Sequence, residues 1–482
     1  MKHFFYLRFL LATVVLFFSF SMQAQVCTGS LGDPVVNITF DSLNGASPYV
    51  PTSGYTFQSA DCPNDGFYTI INSSYSCYSN TWHNVTKDHS GKGKFMLVNA
   101  SFEPGDFFVT TVTNLCPNTT YEFSAWILNI MIPSNSIKPD LVFSIEKPDG
   151  TFLATYDSGE IPVTSSPEWK KYGLLFTTPA DNATIVLRIR NNSPGGYGND
   201  LALDDIGFRP CGGKVTATIQ GSSDTVNICE GNTTQYTLSG DASSVYQSPV
   251  YQWQTSTDEG STWQNIPGAT TTSYLRLPTM QPGKYWYRFT VIDAAYAGIT
   301  SCSIASNIVS INVHPLPVVD AGPDRVYIQG YPVTISASAS GEDITYYWSP
   351  PLYITNDSSL NPVVTPPVDM LYTLHVQSAF NCNSKDEMQV KAVAGLFIPN
   401  AFTPYGDGLN DRWNISFLDI GFDADVKIFN RWGNIIYHVS GATVSWDGMV
   451  NNIPQPSGTY IFIIKFKDKS LPEIKGTLTL IR

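Results

Sequence analysis

The chain carries few charged side chains, and those that it carries are mostly acidic. Of its 482 residues, 14% are Asp, Glu, Lys or Arg, and the formal net charge is −13. A protein that binds a polyphosphate needs clustered Lys and Arg to release counterions, and the sequence contains no such cluster. The composition therefore argues against nucleic acid as a partner and fits a protein that meets neutral ligands.

Catalytic signatures and long apolar segments are also missing. The sequence has no H-E-x-x-H zinc motif, no G-x-S-x-G nucleophile motif and no phosphate-cradling glycine loop. The nearest approach to a cluster is His83 and His89 with Asp88, and their spacing fits no metal motif. We therefore expect a protein without catalytic residues. A glycoside hydrolase, which needs only two suitably placed carboxylates, is the less favoured alternative.

The first 24 residues have the layout of a secretory signal peptide. Two basic residues precede an apolar run, Phe9 to Phe20, and small and polar residues follow it. The run is too short and wrongly flanked for a permanent membrane span, so we expect cleavage after Ala24. Cys27 raises the alternative of a lipoprotein, but the three residues before it match a lipidation signal poorly. Beyond the signal peptide no stretch of 18 apolar residues occurs, so we expect no transmembrane anchor after its removal.

Eight cysteines fit an oxidising compartment, in which disulfides persist. Connectivity cannot be deduced from sequence alone. The pairs that we expect are Cys27–Cys211, which would tie together the ends of one domain, Cys62–Cys77 and Cys229–Cys302. This arrangement leaves Cys116 and Cys382, which we expect to be buried, unpaired thiols.

Short apolar runs separated by Gly, Pro, Asn, Asp and Ser dominate the chain, and no segment keeps a 3.6-residue apolar period. This pattern predicts an all-β protein, and an aromatic content of 13% favours half-buried pleated surfaces. Proline- and glycine-rich breaks predict a signal peptide followed by four β-sandwich domains in series. The expected ranges are 1–24 for the signal peptide and 25–212, 213–315, 316–395 and 396–482 for the domains.

The last of these ranges contains six separated motifs. In order they are Pro399-Asn400-Ala401-Phe402-Thr403-Pro404, Gly406-Asp407-Gly408-x-Asn410-Asp411, Phe429-Asn430-Arg431-Trp432-Gly433, Trp446-Asp447-Gly448, Pro456-x-Gly458-Thr459-Tyr460 and Leu480-Ile481-Arg482. The motifs resemble those of the gliding motility-associated C-terminal domain, the type B sorting domain of the type IX secretion system in Bacteroidetes. Tyr405 departs from the family, which usually has Asn there. The resemblance implies export through the outer membrane by that machinery, with this domain as the sorting signal.

Within these motifs, we expect Trp432 and Trp446 to be core residues. Asp407, Asn410 and Asp411 form an oxygen-rich loop that lacks the spacing and the distal Glu of a Ca²⁺ loop. A turn capped by side chains is therefore favoured over a metal site. Arg431 and Asp447, which adjoin the two tryptophans, complete the residues by which the sorting domain is identified.

The region 25–212 ends in Leu201-Ala202-Leu203-Asp204-Asp205-Ile206, a last strand whose acidic pair, by strict alternation, cannot both be buried. With the segments around Trp126 and Trp169, this ending resembles the jelly-roll modules of the carbohydrate-binding and MAM-like kind. The resemblance implies sugar stacking on exposed aromatic rings, for which we name Trp82, Trp126 and Trp169; core packing is the alternative for each. It also implies a structural Ca²⁺, with Asp41 and Asp205 as candidate ligands, and no required cofactor.

The two middle regions resemble spacer domains. Residues 213–315 resemble an immunoglobulin-like domain, with Trp253 on a strand that faces the core. Residues 316–395 resemble the PKD-like repeats of bacterial surface proteins. We expect both to hold the N-terminal module away from the cell.

These features together predict a non-catalytic, secreted binding protein of the outer cell surface, either an adhesin or a polysaccharide-binding protein. One alternative is a structural protein that docks another component of the surface or gliding machinery, and a secreted glycan hydrolase is a less favoured one. The expected partners are the type IX secretion machinery and either a polysaccharide or a surface protein.

Overall fold

The computed structural model describes residues 26–41, 54–91, 93–180, 184–222, 225–279, 281–393, 395–416, 422–467, 469 and 471–482. These residues form a nearly all-β protein, as the sequence predicts. The described part of the chain also contains three short 3₁₀ helices, at Cys77–Asn80, Ala294–Tyr296 and Thr300–Cys302. The expected signal peptide lies outside the described residues. Within them, no helix has both the length and the apolar character needed to span a bilayer.

The chain divides into two compact units. The first comprises residues up to 224 together with 235–276 and 286–310, and the second comprises 225–234, 277–285 and 311–482. Residues of the expected immunoglobulin-like domain therefore belong to both units. Each unit is described by itself below.

The first unit begins with a two-sheet sandwich. Its strands are β1 (Ser30–Leu31), β2 (Val36–Ile38), β3 (Thr56–Phe57), β4 (Phe67–Ile71), β5 (Phe95–Asn99), β6 (Asp106–Val112), β7 (Thr120–Asn129), β8 (Asp140–Glu146), β9 (Phe152–Glu160), β10 (Lys170–Thr177), β11 (Ile185–Asn191) and β12 (Leu201–Gly212). The large sheet has the order β10-β7-β12-β5-β4-β3, with β1 and β2 also paired to β12, and the small sheet has the order β6-β11-β8-β9. Buried side chains such as Phe107, Phe123 and Phe208 fill the core. Each sheet thus buries one face and turns the other outwards.

Strand β12 contains a bulge at the acidic pair. Its pairing with β7 shifts between Asp204 and Gly207, and Asp205 has a φ of 47°. A bulge inserts one extra residue into a strand, and Asp tolerates the left-handed region better than most residues do. Because of this insertion, Leu203 and Ile206 both belong to the sandwich core. The strict alternation expected from the sequence is therefore wrong at this point.

One end of the large sheet's outer face is covered by a loop segment. Trp82 of this segment is 3% exposed and packs in one cluster with strand residues that include Phe95 and Leu128. The Cys62–Cys77 disulfide, which the sequence predicts, closes the loop on itself. Trp82 is thus a core residue, and its expected role in stacking a sugar is wrong.

The second domain's strands follow directly. They are β13 (Val215–Ile219), β14 (Val226–Cys229), β15 (Tyr236–Ala242), β16 (Pro249–Ser256), β17 (Gln264–Asn265), β18 (Ser273–Arg276), β19 (Gly283–Asp293), β20 (Ile304–Ala305) and β21 (Val309–His314). In the first unit, β13, β15 and β18 form one sheet, while β16 pairs with both β17 and β19. Trp253 of β16 is fully buried and packs on Phe289, as the sequence predicts for a core-facing strand.

The first unit is tied together by a disulfide between domains. Cys116, in the loop between β6 and β7, is bonded to Cys302. Residues Cys302, Ile292 and Tyr296 pack in or against the core of the N-terminal sandwich. The expected Cys229–Cys302 bond and the expected free thiol at Cys116 are both wrong. Each partner lies in a different domain, and only the docking of the two domains brings the sulfur atoms together.

An ion pair reinforces the same junction. The guanidinium of Arg288, in β19, donates from Nη1 and Nη2 to the carboxylate of Asp33 at 2.6 and 2.7 Å. The Arg288 side chain is almost fully buried and that of Asp33 is half exposed, so the bidentate pair lies at the edge of the junction. Gly32, beside Asp33, also forms a backbone bridge with Ile304. The junction therefore combines covalent, ionic and backbone contacts.

The second unit contains the remaining strands. They are β22 (Val318–Asp320), β23 (Arg325–Ile328), β24 (Val333–Thr334), β25 (Ser338–Ser340), β26 (Thr345–Ser349), β27 (Val363–Val364), β28 (Met370–Gln377), β29 (Asn383–Val393), β30 (Ala401–Phe402), β31 (Trp413–Ser416), β32 (Ala424–Phe429), β33 (Ile435–Gly441), β34 (Thr443–Trp446), β35 (Met449–Val450), β36 (Ile453–Pro454), β37 (Gly458–Phe466) and β38 (Ile474–Leu480). The third domain has the sheet β23-β29-β28-β26, and the C-terminal domain has the sheet β30-β38-β37-β32-β33. Strand β14 pairs in parallel with β21.

The second unit also holds its domains together covalently. Cys229, at the end of β14, is bonded to Cys382 in the third domain. The expectation that Cys382 is a free thiol is therefore wrong, for the same reason as at Cys116. Ile328 of the third domain belongs to the core of the C-terminal domain, so their apolar cores are continuous. The fourth disulfide, Cys27–Cys211, ties the ends of the N-terminal sandwich as expected.

Candidate functional site

At the other end of the large sheet's outer face, residues of the described part of the chain line a groove, which we call the sheet groove. Its volume is 290 Å³, and it is lined by Leu31, Asn37, Thr39, His89, Glu122, Ser124, Trp126, Lys171, Asp205, Gly207 and Arg209. Most of these residues alternate along strands, with Glu122, Ser124 and Trp126 on β7 and with Gly207 and Arg209 on β12. Side chains two positions apart share one face of a strand, so the groove is built on a single sheet face.

Small residues in register form the floor of the sheet groove. Ser124 of β7 lies opposite Gly207 of β12 on one side and opposite Gly173 of β10 on the other. A Cβ added at Gly173 would lie 2.3 Å from the carbonyl oxygen of Phe123, which leaves no room for a side chain. A row of small residues across three strands leaves a trough, and the larger side chains on either side become its walls.

One wall is a stacked pair of rings. The imidazole of His89 lies nearly parallel to the indole of Trp126, with ring centroids 3.7 Å apart. His89 Nδ1 is 2.7 Å from the carboxylate of Asp205, the residue at the bulge. Two contacts therefore fix the imidazole, and the stacked imidazole in turn fixes the half-buried indole at the edge of the groove.

The other wall is a charged network around Glu122. This buried carboxylate accepts hydrogen bonds from the Cys27 N–H at 2.7 Å, from the Ser124 hydroxyl at 2.9 Å and from the Lys171 ammonium group. Arg209 lies opposite Glu122 in register, and its Nη2 donates to Asn37 Oδ1 at 3.2 Å. The groove thus presents fixed donors and acceptors along one side and an aromatic ring on the other.

The predicted metal ligands lie beside the groove, with two further carboxylates that the sequence analysis did not assign to a metal. A Cβ added at Gly93 would lie 1.8 Å from Asp41 Oδ1 and 2.8 Å from Asp88 Oδ2, so these two carboxylates meet over a bare glycine backbone. Asp204 and Asp205 follow on β12, with donor atoms within 4.8 Å of each other and of His89. Hard oxygen donors of this kind suit Ca²⁺.

We call Asp41, Asp88, Asp204 and Asp205 the carboxylate cluster. Asp204 is its most buried member. Burial raises the pKa of Asp204 to about 8, and the negative charges of Asp205 and Asp88 contribute to the rise. Hydrogen bonds from the backbone N–H groups of Asp205 and His89 oppose that shift. A bound cation favours the charged form of a carboxyl group. The carboxylates of Asp204 and Asp205, which lie within 4.8 Å of each other and of His89, could therefore hold a Ca²⁺ ion, and Asp88 adds negative charge near them.

Of the three predicted sugar-stacking tryptophans, the structure brings one into the sheet groove. Trp126 lines it, whereas Trp82 is core and Trp169 packs edge-on against Phe95, with ring centroids 5.7 Å apart. Sequence reasoning missed Glu122, Ser124 and Lys171. The polar alternation Glu122, Ser124, Trp126 on a single strand was the available signal, because an outward face that carries two polar side chains is seldom core.

In the C-terminal domain the acidic loop is closed by its own side chains. The two carboxylate oxygens of Asp411 accept the N–H groups of Gly406 at 2.6 Å and Gly408 at 2.7 Å. Asp407 Oδ1 accepts the N–H of Leu409 at 2.9 Å. Asn410 has a φ of 52°, as residues in such turns often do. The arrangement is the capped turn that the sequence favours over a metal site.

The two tryptophans of the sorting motifs differ in their surroundings. Trp446 is buried and donates from Nε1 to the carbonyl of Met449 at 3.0 Å. Trp432 is 75% exposed, and the guanidinium of Arg431 lies 5.3 Å from its ring centroid. The expectation that Trp432 is a core residue is wrong, because Asn430 caps the turn between β32 and β33 and the turn directs residue 432 outwards. Asp447 pairs with Arg412 at 3.6 Å and caps the turn after Trp446.

Two family models match parts of the chain. Residues 396–480 match the CHU_C type IX secretion signal domain, and residues 215–315 match a domain of unknown function, DUF8696. The C-terminal segment is therefore a type IX secretion signal domain, as the sequence predicts. No curated protein sequence matches the chain. With four disulfides, this signal indicates a secreted, extracellular or surface protein.

Solved structures of β domains in series resemble the chain at low identity. An I-band fragment of titin is 10% identical over 55% of this chain and 97% of its own, with a TM-score of 0.25. The fibronectin(III)-like modules of Clostridium thermocellum CbhA are 12% identical over 37% of this chain and 95% of their own, with a TM-score of 0.19. The FN1–FN3 domains of chicken CNTN1 are 10% identical over 52% of this chain and 95% of their own, with a TM-score of 0.22.

Proposed function

We propose that this secreted protein is a non-catalytic saccharide-binding protein of the outer cell surface. The sheet groove holds the sugar, and the C-terminal domain directs export. The observation that carries the proposal is the groove itself, an open trough with a half-buried indole on one wall and oriented polar groups on the other. A sugar ring presents C–H groups on its faces and hydroxyls at its edge. The indole of Trp126 can pack against the C–H face of the ring, and Ser124 and the charged network can form hydrogen bonds with its hydroxyls.

The size of the groove suits a short stretch of a polymer. Small-molecule sites span roughly 300–1,000 Å³, and the sheet groove lies at the lower end with 290 Å³. Its lining residues lie on one outward sheet face, so part of a longer chain can lie across it. This geometry favours a polysaccharide over a small enclosed ligand.

The state of its carboxylates argues against a hydrolase. Glycoside hydrolysis requires one carboxylic acid that carries a proton and a second carboxylate facing it across the bond. Glu122 is buried and accepts hydrogen bonds from three donors, one of them an ammonium group, so its oxygen atoms are engaged by contacts within the protein. Asp205 is engaged by His89. Both groups therefore act as anchors for their neighbours.

A Ca²⁺ ion in the carboxylate cluster has a structural role in this proposal. Asp204 and Asp205 of β12 would hold the ion beside His89, which comes from a separate segment of the chain. Ca²⁺ supplies charge neutralisation there. His89, which adjoins the cluster, holds Trp126 in place. An ion that fixes the cluster and His89 would therefore also restrain the indole of Trp126 at the edge of the groove.

The proposal is tested with the secreted chain, residues 25–482, in affinity electrophoresis through gels that contain plant, algal and bacterial polysaccharides, with and without Ca²⁺. We expect at least one polymer to retard the protein. We expect Trp126→Ala to weaken that binding about tenfold or more, which corresponds to about 1.4 kcal/mol. Trp432→Ala is the matched control, because it removes an exposed indole far along the chain, and it leaves binding unchanged. Circular dichroism establishes that both variants are folded. The absence of retardation by every polymer, or equal binding by Trp126→Ala, would overturn the proposal.

A further inference from the structure

The sheet groove is lined by two basic residues, Lys171 and Arg209, and of these only Lys171 has a carboxylate partner among the described residues. Lys171 pairs with Glu122, and His89 pairs with Asp205. Arg209 remains, and its hydrogen bond from Nη2 goes to the neutral amide oxygen of Asn37. The chain as a whole has a net charge of −13, so an arginine without a carboxylate partner is unexpected in this composition.

Arg209 is unusual among the arginines of its own domain. In the described part of the N-terminal sandwich, the other two arginines each pair with a carboxylate: Arg188 with Asp106 and Glu146, and Arg190 with Asp106. These two lie on the small sheet. Only Arg209, on the groove face, has no carboxylate partner in that part of the chain.

Glu122 lies opposite Arg209 in register and yet does not neutralise it. The Oε1 atom of Glu122 accepts from Ser124 and Lys171, and its Oε2 atom accepts from the Cys27 N–H. A guanidinium keeps its charge at every physiological pH and presents a planar set of five N–H donors that matches a carboxylate in bidentate geometry. Arg209 is therefore a half-buried group of N–H donors that lines the sheet groove and has no carboxylate partner in the described part of the sandwich.

We propose that the sheet groove selects polysaccharides whose sugars carry carboxylate groups, with Arg209 as the residue that binds the carboxylate. This inference rests on the proposed saccharide-binding function and names its ligand class. Trp126 contacts the sugar ring from the opposite wall, and Lys171, held by Glu122, adds a second positive group nearby. A polymer of uronic acids provides a ring and a carboxylate on each unit and so satisfies both walls at once.

The test compares polymers that carry free carboxylates with the same polymers in which these groups are neutral esters. Polygalacturonate and alginate are each measured beside their ester, in which the carboxylate is neutral, by isothermal titration calorimetry with the secreted chain. We expect at least one acid polymer to bind about tenfold tighter than its ester. We expect Arg209→Gln to remove that difference by weakening acid binding alone. Arg431→Gln, which changes an arginine in the C-terminal domain, is the matched control and preserves the preference. Added salt reduces the preference, because exposed charge interactions are screened.

The outcomes separate this inference from the function on which it rests. Equal affinity for acid and ester, or equal weakening of both by Arg209→Gln, overturns the carboxylate preference while the groove remains a sugar site. If only neutral polymers bind, and Trp126→Ala weakens that binding, the carboxylate preference is likewise overturned while the groove remains a sugar site. If no polymer binds the folded protein at all, the saccharide-binding function itself fails, and this inference with it.

Discussion

The Cys116–Cys302 bond is expected to make the N-terminal sandwich and the second domain unfold as one body. The perturbation is the paired change Cys116→Ala and Cys302→Ala, which removes both sulfur atoms and leaves no buried hydroxyl. The matched control is Cys62→Ala with Cys77→Ala, which releases a loop within the sandwich alone. The two bonds span very different separations, 186 residues for the first and 15 for the second.

The magnitude follows from the chain that each bond closes. In the chain-entropy account, a 15-residue loop is worth about 3 kcal/mol and a 100-residue loop about 4.7 kcal/mol. The 186-residue loop overlaps the loop closed by Cys27–Cys211 over residues 116–211 and the loop closed by Cys229–Cys382 over residues 229–302. These smaller loops restrict the unfolded chain beforehand, so we expect a loss of about 2–4 kcal/mol. The Asp33–Arg288 pair and the apolar contacts of Ile292 and Tyr296 persist in the variant and limit the loss.

Differential scanning calorimetry of the secreted chain measures both the loss and the coupling. In the unaltered protein we expect the sandwich and the second domain to melt in one transition. In the Cys116/Cys302 variant this transition moves to lower temperature and splits in two. The Cys62/Cys77 variant also melts earlier but keeps one transition. If the Cys116/Cys302 variant melts unsplit at the original temperature, the junction does not depend on the disulfide and the reasoning is refuted.

Two further predictions concern single side chains. Trp446→Ala is expected to destabilise the C-terminal domain by about 3–5 kcal/mol, as for other buried aromatic residues. Trp432→Ala is expected to change the stability by less than about 0.5 kcal/mol, because residue 432 is exposed. Urea unfolding of both variants measures the two effects, and equal effects would contradict the assigned positions. The pKa of Asp204 is raised above its unfolded value to about 8, so its stabilising contribution in Ca²⁺-free protein is complete in acid and is lost as pH rises through 8. We expect Asp204→Asn to flatten this part of a melting-temperature profile, and we expect Ca²⁺ to raise the melting temperature more at pH 8 than at pH 5; a profile that the substitution leaves unaltered would contradict the assignment.

The all-β fold could be predicted because its signals are local. Turn residues, short apolar runs and the separated motifs of the C-terminal domain each occupy a few neighbouring positions. Trp253 and Trp446 were predicted as core residues on the same local grounds. Trp432 was not correctly placed, although Asn430 two positions earlier is a turn-capping residue and provided a local signal.

What depends on distant pairing could not be read from the chain. The partners of Cys302 and Cys382 are 186 and 153 residues away and in other domains. Most of the sheet groove was missed for a related reason. Trp126 and Asp205 were named individually, but the contributions of Glu122 and Lys171 arise from the register of β7 with β10 and β12. A bulge at Asp205 then shifts every later side chain of β12 by one position, and Arg209 faces the groove only because of it.

The segment from Cys27 to Asp33 links the groove to the domain junction. Its first residue donates its N–H to Glu122 and is bonded to Cys211, and Leu31 lines the groove itself. Its last residue, Asp33, accepts two hydrogen bonds from Arg288 of the second domain. Glu122 in turn orients Lys171, so the charged wall and the junction share one short stretch of backbone. Breaking the Asp33–Arg288 pair therefore weakens the restraint on Glu122. In affinity electrophoresis, Asp33→Ala is expected to bind sugar less tightly, although residue 33 does not line the groove.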